Sequence, residues 1–516
     1  MKKYLYNISG LAVVVISTII FAVITIMSLF FTTYFLEDRV ESIIICKDSI
    51  ALNIFLLLVV WILFSILFFR INIEKIKLQS LERIVILLVI VISIFWIILV
   101  QANPFADGKE ICEAMVSFSD GDYSALSKDA YFGKFPFQLG LLFIFEKILW
   151  LAGSDNYIFL QVLNVFALAI AFHLLFKTFL ILFDNKRASI ILLILFVMCF
   201  PAMLYCTFIY GTMYGFALST GAIYYIVKYL EENKKRYMFY AIPLLLISVI
   251  LKNNYLIVFV ALSGLLVVEC LKNDRIYILL FIPVFLGCNI LLTTGIQDYY
   301  KDRSGKEIHS GIPSISWVAM GLQDGNKGPG WYNQTMFNIY ERNKQDTEKT
   351  SEESKEIIKK TLTSYKGKPQ EFCKFILRKI VSQWNEPTYE SLWVSEHPKN
   401  DDMHRIQLSR VANSIYYGKL NVLYWGYCNI YHLLVFSAAA IGFFAYRKKM
   451  NVRQCIFAII IIGGFLFHII WEANSKYILT YFIYVLPYAA LGIDKSIKET
   501  HKLIKIKKKF KAGGNK

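Results

Sequence analysis

Residues 84–101, IVILLVIVISIFWIILVQ, decide the fold class, because Ser93 and Gln101 are the only clearly polar side chains among these eighteen residues. An apolar run of about 18 residues is long enough to cross the hydrocarbon core of a membrane as a helix. Comparable runs recur from the N-terminus to residue 492, and 57% of the 516 residues are hydrophobic while 18% are charged. The sequence therefore predicts an all-α polytopic membrane protein.

Hydropathy predicts about twelve spans, each of which takes the form of an apolar run bounded by polar residues. By residue number they are 11–35, 50–69, 84–101, 157–179, 188–204, 211–229, 237–251, 255–271, 276–294, 421–446, 454–470 and 477–493. Residues 137–152 are also apolar, but Glu146 and Lys147 interrupt them. A helix of that length reaches about 24 Å, short of the roughly 30 Å hydrocarbon core. We therefore expect it to lie on, or dip into, the outer face.

The charges of the short loops predict the orientation of the chain. If residues 137–152 do not cross the membrane, every Lys- and Arg-rich short loop falls on one side. These segments are 70–83, 176–187, 228–236, 272–275, 447–453 and the tail. Positively charged loops stay in the cytoplasm, so both termini are predicted to be cytoplasmic. The net charge of +17 is concentrated in these places and predicts contact with membrane lipids, with no nucleic acid as a partner.

This topology predicts five regions. They are an N-terminal helix hairpin (1–83), a transmembrane core (84–294) with a first outer loop (102–156), a mixed extracytoplasmic domain (295–420), C-terminal transmembrane helices (421–493) and a basic cytoplasmic tail (494–516). The nine cysteines are scattered without a CxxC or another paired spacing. Their spacing suggests neither a metal site nor a disulfide framework.

The first outer loop offers candidate catalytic acids. The stretch NPFADGKEICEAM (103–115) follows the span 84–101 directly and places Asp107 and Glu110 within one helical turn. The following residues predict a short amphipathic helix with Ile111, Met115 and Phe118 facing the membrane. Asp107 is either a solvated residue at the start of this helix or a base held at the membrane surface, and the sequence leaves both interpretations open.

Basic residues are predicted at the same level of the membrane as Asp107. Lys252 lies between two apolar runs that are each barely long enough to span, where an ionisable group is costly and often functional. Glu472, Lys476 and Tyr477 lie at the outer end of the last hairpin, and the first two are four residues apart and able to pair on one helical face. The alternatives to a functional role are that the Lys252 side chain snorkels to the membrane surface and that Glu472 and Lys476 form a purely structural pair. A carboxylate beside lysines suits a lipid-linked phosphate substrate.

At this point the chain resembles GT-C fold membrane glycosyltransferases. The resemblance rests on an Asp after an early span, a horizontal helix, GDYS (121–124), YFGKFPFQLG (131–140) and the late WEANSKY (471–477) followed by Pro487. The nearest branch is the one typified by protein mannosyltransferases and aminoarabinose transferases, namely glycosyltransferase family 39 or the RgtA–D type. The likeness covers roughly residues 84–493.

The resemblance implies a polyprenyl-phosphate sugar donor, an acceptor outside the cytoplasmic membrane (glycan, teichoic acid, lipid or protein) and inversion at the anomeric carbon. Asp107 matches the family's catalytic base, and Lys252 and Lys476 match its phosphate-contacting residues. Glu110 departs from the pattern of adjacent acids, which leaves the base assignment open between the two carboxylates. The helix pair 11–69 looks like an addition before the usual core.

Further substrate-binding candidates lie around these groups, as aromatic or hydrogen-bonding side chains on the outer face. They are Tyr131, Lys134, Gln138, Tyr255, Trp331 and Tyr332. Trp331 and Tyr332 follow a glycine-rich turn segment and offer flat faces on which sugar rings could stack, although such aromatic side chains more often lie at an interface or in a core.

Two other functions compete with sugar transfer. A transporter or lipid-linked oligosaccharide flippase is disfavoured because the sequence shows no repeat and no helix broken at mid-membrane. A polysaccharide polymerase with a pyrophosphate-linked donor is disfavoured because the outer loops lack an Arg/His constellation. No cofactor is expected for a monophosphate donor held by lysines, whereas a pyrophosphate donor would favour Mg²⁺ or Mn²⁺.

Overall fold

A computed structural model describes residues 2–36, 41–153, 156–395 and 408–513. The predicted outer loops also include residues 154–155 and 396–407, and the predicted tail includes 514–516, all of which lie outside the described ranges. Within those ranges the chain is mostly helical, as the apolar runs predict. The only strands of the described ranges are two short antiparallel pairs.

The described residues of the N-terminal half form twelve α-helices and one strand pair. In chain order they are α1 (Lys2–Phe30), β1 (Phe31–Phe35), β2 (Ile43–Lys47), α2 (Ile50–Arg70), α3 (Leu78–Val100), α4 (Asp107–Ser119), α5 (Tyr131–Lys134), α6 (Leu139–Ala152), α7 (Tyr157–Leu182), α8 (Lys186–Met198), α9 (Phe200–Leu204), α10 (Gly211–Glu232), α11 (Arg236–Leu251) and α12 (Leu256–Asn273). Ser49, Asn156 and Asn185 cap α2, α7 and α8 by accepting backbone N–H groups of the first turn.

The C-terminal half contains the outer segment and the last transmembrane helices. In chain order its elements are α13 (Phe281–Ser304), α14 (Ile315–Gly321), β3 (Asp324–Gly325), β4 (Gly328–Pro329), α15 (Thr335–Arg342), α16 (Thr347–Ser364), α17 (Pro369–Trp384), α18 (Leu408–Tyr417), α19 (Lys419–Tyr446), α20 (Ile456–Ile470) and α21 (Leu479–Gly513). The outer segment is thus helical with one minimal hairpin.

Eight stretches of the described chain are helical, long enough and apolar enough to cross a membrane, and they overlap eight of the predicted spans. They are Tyr6–Phe30, Ile50–Arg70, Leu78–Val100, Tyr157–Leu182, Asn253–Asn273, Ile276–Ser304, Lys419–Tyr446 and Arg453–Ile470. A ninth span arises if α8 and α9, which are bent by 49° at their junction, are counted as one. The predicted spans 211–229, 237–251 and 477–493 coincide with α10, α11 and α21. The total of twelve stays a prediction.

The main core lies where α1, α7, α8, α10, α19 and α21 pack together. Phe172 and Phe196 stack there with ring centroids 4.3 Å apart, and Phe443 meets Tyr488 at 4.3 Å. Helix α1 packs along α19, so the first helix of the predicted N-terminal hairpin contributes to the central bundle.

The first outer loop forms a second, smaller core. Ile111, Met115 and Phe118 on α4 are buried, and Phe118 contacts Phe132 and Tyr300. The prediction that this apolar face meets the membrane is therefore wrong, because α6 and the end of α13 cover it. This packing fixes α4 to the bundle.

Candidate active site

The position of Asp107 is set by the junction between α3 and α4. Gln101 ends α3 in the left-handed conformation, and Ala106, with φ of 48°, precedes Asp107 at the first position of α4. The next residue, Gly108, packs so closely that a Cβ atom there would lie 2.4 Å from the Ile209 carbonyl oxygen. The first turn of α4 therefore has little freedom to move.

Asp107 opens onto a large cleft. The cleft has a volume of about 1250 Å³, and its walls include Glu110, Tyr131, Lys134 and Phe337. Asp107 is exposed to this cleft, yet protein surrounds it. Burial among these groups raises the pKa of Asp107, while the nearby ammonium of Lys476 opposes the rise. A carboxyl with a raised pKa is a stronger base once it is ionised.

The Tyr131 hydroxyl interacts with the Asp107 carboxylate without the geometry of an ordinary hydrogen bond. Burial and the neighbouring Asp107 raise the pKa of Tyr131. The phenol therefore keeps its proton at neutral pH and lies ready to donate toward Asp107 or toward a group bound beside it.

Lys252 follows the last residue of α11, in the break before α12. Its Nζ donates a 2.8 Å hydrogen bond to Thr212 Oγ1 and lies 5.2 Å from the Tyr210 ring and 5.4 Å from the Tyr477 ring. Burial, helped by the positive charge of Lys476, lowers the pKa of Lys252 to about 7, while Asp107 acts in the opposite direction. Lys252 forms no ion pair within the described part of the chain, so its ammonium remains able to receive an anion.

Lys476 lies in a single 3₁₀ turn, Ser475–Tyr477, between α20 and α21. Its Nζ is 2.6 Å from Glu41 Oε1, 3.7 Å from Glu390 Oε2 and 5.1 Å from the centre of the Trp393 ring. Burial disfavours its charge, but Glu41 and Glu390 outweigh that effect and raise the pKa of Lys476. Lys476 is therefore a permanent cation at neutral pH.

The predicted Glu472–Lys476 pair is wrong. The backbone is extended at Trp471 and Asn474, so residues four apart do not share a helical face. Among the described residues, Lys476 pairs with Glu41 and Glu390 instead. Glu472 is buried and accepts a 3.4 Å hydrogen bond from the Tyr477 hydroxyl; burial, together with Glu41 and Asp107, raises its pKa to about 8.

Two acids of this site come from segments that sequence reasoning did not select. Glu41 follows β1, and the β1–β2 hairpin is anchored to the end of α17 by a 2.9 Å bond from the Thr33 amide to the Asn385 carbonyl. Glu390 is buried and accepts the Ser475 and Lys476 amides at 3.1 Å.

The backbone around Glu390 is locally strained. Tyr389 and Glu390 both adopt left-handed φ angles, 51° and 58°, which non-glycine residues rarely do. Glu386 holds this turn by accepting the Glu390 amide at 2.8 Å. The signal available in the sequence was the pair of acids, Glu386 and Glu390, inside the aromatic-rich stretch QWNEPTYESLW (383–393).

The remaining predicted residues divide into those near the site and those that support it. Glu110 lies on the cleft wall, and Lys134 lies 5.5 Å from the centre of the Phe337 ring. Gln138 donates a short hydrogen bond to the Tyr210 hydroxyl, and the Tyr255 hydroxyl donates to the Thr212 carbonyl at 2.6 Å. The last two side chains therefore hold the segment that positions Lys252.

The two predicted stacking residues have different environments. Tyr332 is half-buried, and burial together with Glu41, Glu472 and Asp107 raises its pKa to about 12. Trp331 is completely buried, and its Nε1 donates to Ser382 Oγ at 2.9 Å. The prediction that Trp331 offers an open face to a sugar ring is therefore wrong, because core packing covers it.

Asp107 lines the open cleft, and Lys252 and Lys476 line a separate small pocket. These three side chains come from different parts of the chain and interact electrostatically with one another. The pocket beyond the lysines is narrow and is lined by Tyr255, Val258 and Ile460, among others. Within the described ranges, no group of three His, Cys, Asp or Glu side chains is arranged to hold a metal ion.

The fold and its apolar helices define a polytopic integral membrane protein. A family model described as a conserved hypothetical integral membrane protein (CHIM_prot) matches residues 5–497, and the chain belongs to this family. None of the curated proteins matches the chain.

Among solved structures the chain is similar to an archaeal oligosaccharyltransferase, AglB from Archaeoglobus fulgidus, in complex with an inhibitory peptide and a dolichol-phosphate. The identity is 11% and the TM-score is 0.39, over 85% of this chain and 52% of that one. The chain thus spans about half the length of this structure.

Proposed function

We propose that the protein is a membrane glycosyltransferase that moves a sugar from a polyprenyl-phosphate-linked donor to an acceptor outside the cytoplasmic membrane. One observation carries this proposal: Asp107 lines a cleft large enough for an acceptor and interacts electrostatically with two lysines able to hold a phosphate. Carboxylates serve as bases in glycosyl transfer, and ammonium groups stabilise a departing phosphate.

In the proposed reaction, the acceptor enters the cleft and its hydroxyl approaches Asp107. The carboxylate takes the hydroxyl proton while the oxygen attacks the anomeric carbon from the face opposite the phosphate. The bond between the anomeric carbon and the phosphate oxygen breaks, and its electron pair leaves with the phosphate, which gives inversion. Lys252 and Lys476 stabilise the charge that develops on that phosphate.

The donor would occupy the side of Asp107 that carries the lysines. Lys252 has Thr212 as its hydrogen-bond partner and no ion pair among the described residues, so its charge is available to the phosphate. Lys476 already contacts Glu41 and Glu390, and a phosphate there would compete with Glu41. In this proposal a monophosphate donor held by lysines needs no divalent ion, whereas a pyrophosphate donor would favour Mg²⁺ or Mn²⁺.

Glu110 is the alternative base. It lies on the same cleft wall as Asp107, one helical turn along α4. The proposal favours Asp107 because Lys252 and Lys476 act on its charge directly. The orientation with both termini in the cytoplasm and the cleft outside rests on the distribution of Lys and Arg in the short loops.

The test is a transfer assay with protein reconstituted in liposomes, supplied with polyprenyl-phosphate sugars and membrane-derived acceptors. Asp107→Asn removes the base and is expected to lower the rate about 100-fold or more. Asp120→Asn, at the exposed end of α4, is the matched control and is expected to keep wild-type activity. Equal activity of the Asp107 variant and this control would remove Asp107 as the base, and loss in Glu110→Gln alone would transfer the role to Glu110.

A further inference from the structure

A second polar cluster lies at the other end of the bundle from Asp107. Glu82 stands one turn inside the start of α3, about 27 Å along the helix from Val100. There a groove of about 500 Å³ runs between α3 and α7, and it contains polar and charged side chains at one end and apolar ones at the other. Its lining is Gln79, Glu82, Arg83, Ile86, Leu87, Ile90, His173 and Lys177.

The acid of this cluster is already neutralised by its neighbours. Glu82 is 4% exposed, and its two oxygens lie 2.8 Å from His173 Nδ1 and 2.9 Å from Lys177 Nζ. Ionisable side chains within membrane helices commonly pair with one another in this way. The charge of Lys177 is therefore largely balanced by Glu82, and Glu82 does not repel an incoming anion as an isolated carboxylate would.

Arg83 is the cation of this groove that has no acidic partner among the described residues. It is exposed at the rim of the groove and forms no ion pair or hydrogen bond with the described part of the chain. His173 presents about half of its side chain to the same space. A guanidinium at the headgroup level of a membrane binds phosphate oxygens in a bidentate manner.

The groove continues from these polar groups onto hydrocarbon. Ile86, Leu87 and Ile90 follow Arg83 along α3 at helical spacing and line the same cavity, and Leu87 is 59% exposed. A cation at one end and an apolar trough at the other match the two parts of a phospholipid. Free phosphate would use the cation and leave the trough empty.

We propose that this groove binds one anionic phospholipid, with its phosphate on Arg83 and beside His173 and Lys177, and with an acyl chain along Ile86, Leu87 and Ile90. Basic pockets between transmembrane helices are established sites for lipid headgroups. The proposal is independent of sugar transfer, because its residues lie at the opposite end of α3 from Asp107.

The test is lipid retention measured by native mass spectrometry after reconstitution into nanodiscs of equal parts phosphatidylglycerol and phosphatidylcholine. The wild-type protein is expected to retain one phosphatidylglycerol in preference to phosphatidylcholine. Arg83→Gln removes the unpaired cation and is expected to weaken that retention about fivefold, the effect of about one surface cation. Leu87→Trp fills the trough, leaves every charge in place and is expected to reduce retention as well.

Arg70→Gln is the matched control, because Arg70 is an exposed arginine at the end of α2 that does not line the groove. It is expected to retain lipid as the wild type does. Retention of phosphatidylglycerol that is equal in all four proteins would overturn the proposal, as would a wild type without preference between the two lipids. Loss in Arg83→Gln with full retention in Leu87→Trp would show a headgroup contact without a seated chain and would also contradict it.

Discussion

At the scale of single residues, the site combines groups whose pKa values are shifted in opposite directions. Burial raises the pKa of Asp107, so the base forms only as the pH increases. Burial and Lys476 lower the pKa of Lys252 to about 7, so its ammonium is lost as the pH increases. The proposed reaction needs ionised Asp107 and protonated Lys252 together, which restricts it to a window of pH.

We therefore expect kcat/KM to follow a bell-shaped pH profile, since this quantity reports the ionisations of the free enzyme. The rising limb belongs to Asp107 and the falling limb, near pH 7, to Lys252. The guanidinium introduced by Lys252→Arg keeps its charge at every accessible pH. The pH profile of this variant is therefore expected to lack the falling limb, even if its maximal rate is lower. The profile is measured with protein in liposomes over pH 5 to 9; a falling limb unchanged in this variant would contradict the role of Lys252.

Asp107, Lys252 and Lys476 were predictable from sequence because each interrupts or follows an apolar run, where an ionisable side chain stands out. Glu41 and Glu390 had no such signal. Glu41 reaches Lys476 only because β1–β2 docks on the end of α17, and Glu390 only because its backbone is left-handed. Contacts between residues 86 and 435 positions apart depend on docking that a single sequence does not reveal.

At the scale of elements, α4 is the part whose placement matters most. Its apolar face packs on α6. In its first turn, Gly108 packs directly against the backbone of Ile209. Close packing of this kind allows no extra methyl group without a shift of the helix. The orientation of Asp107 therefore depends on the absence of a side chain at position 108.

Gly108→Ala is expected to displace α4 and to lower the rate of sugar transfer about 100-fold, because displacements of about 1 Å have effects of this size. The added methyl group is also expected to cost about 1–3 kcal/mol of stability. Gly264→Ala is the control, because a Cβ atom there meets open space within α12. Transfer rates and thermal unfolding of both variants are measured in the same detergent. Full activity in Gly108→Ala would show that α4 does not position the base.

The elements also show what hydropathy predicts well. Runs of about 18 apolar residues became helices, because backbone groups in hydrocarbon must be satisfied within their own segment. The exposure of the Trp331 ring, in contrast, was not predictable from local sequence. Its glycine-rich surroundings suggested an exposed turn, whereas β3–β4 and α17 enclose its ring. Exposure of an aromatic side chain is decided by tertiary packing.

At the scale of the whole molecule, the proposal requires that the cleft and the basic loops lie on opposite sides of the membrane. Asp120 at the end of α4 and Lys449 after α19 are exposed reporters of the two sides. In a cysteine-depleted background, Asp120→Cys is expected to react with an impermeant maleimide in intact cells. Lys449→Cys is expected to react only after permeabilisation. The reverse pattern would place the cleft in the cytoplasm and exclude an extracytoplasmic acceptor.

The central claim is that Asp107, Lys252 and Lys476 surround the phosphate of a lipid carrier, and its most direct test is a cryo-EM structure of the protein with undecaprenyl phosphate. This lipid is the product of the proposed reaction, so the experiment does not depend on knowing the sugar. The account predicts phosphate density within ion-pair distance of Lys252 and Lys476, with Asp107 on the side facing the cleft. Phosphate bound elsewhere in the molecule, with these lysines still in contact only with protein, would contradict it.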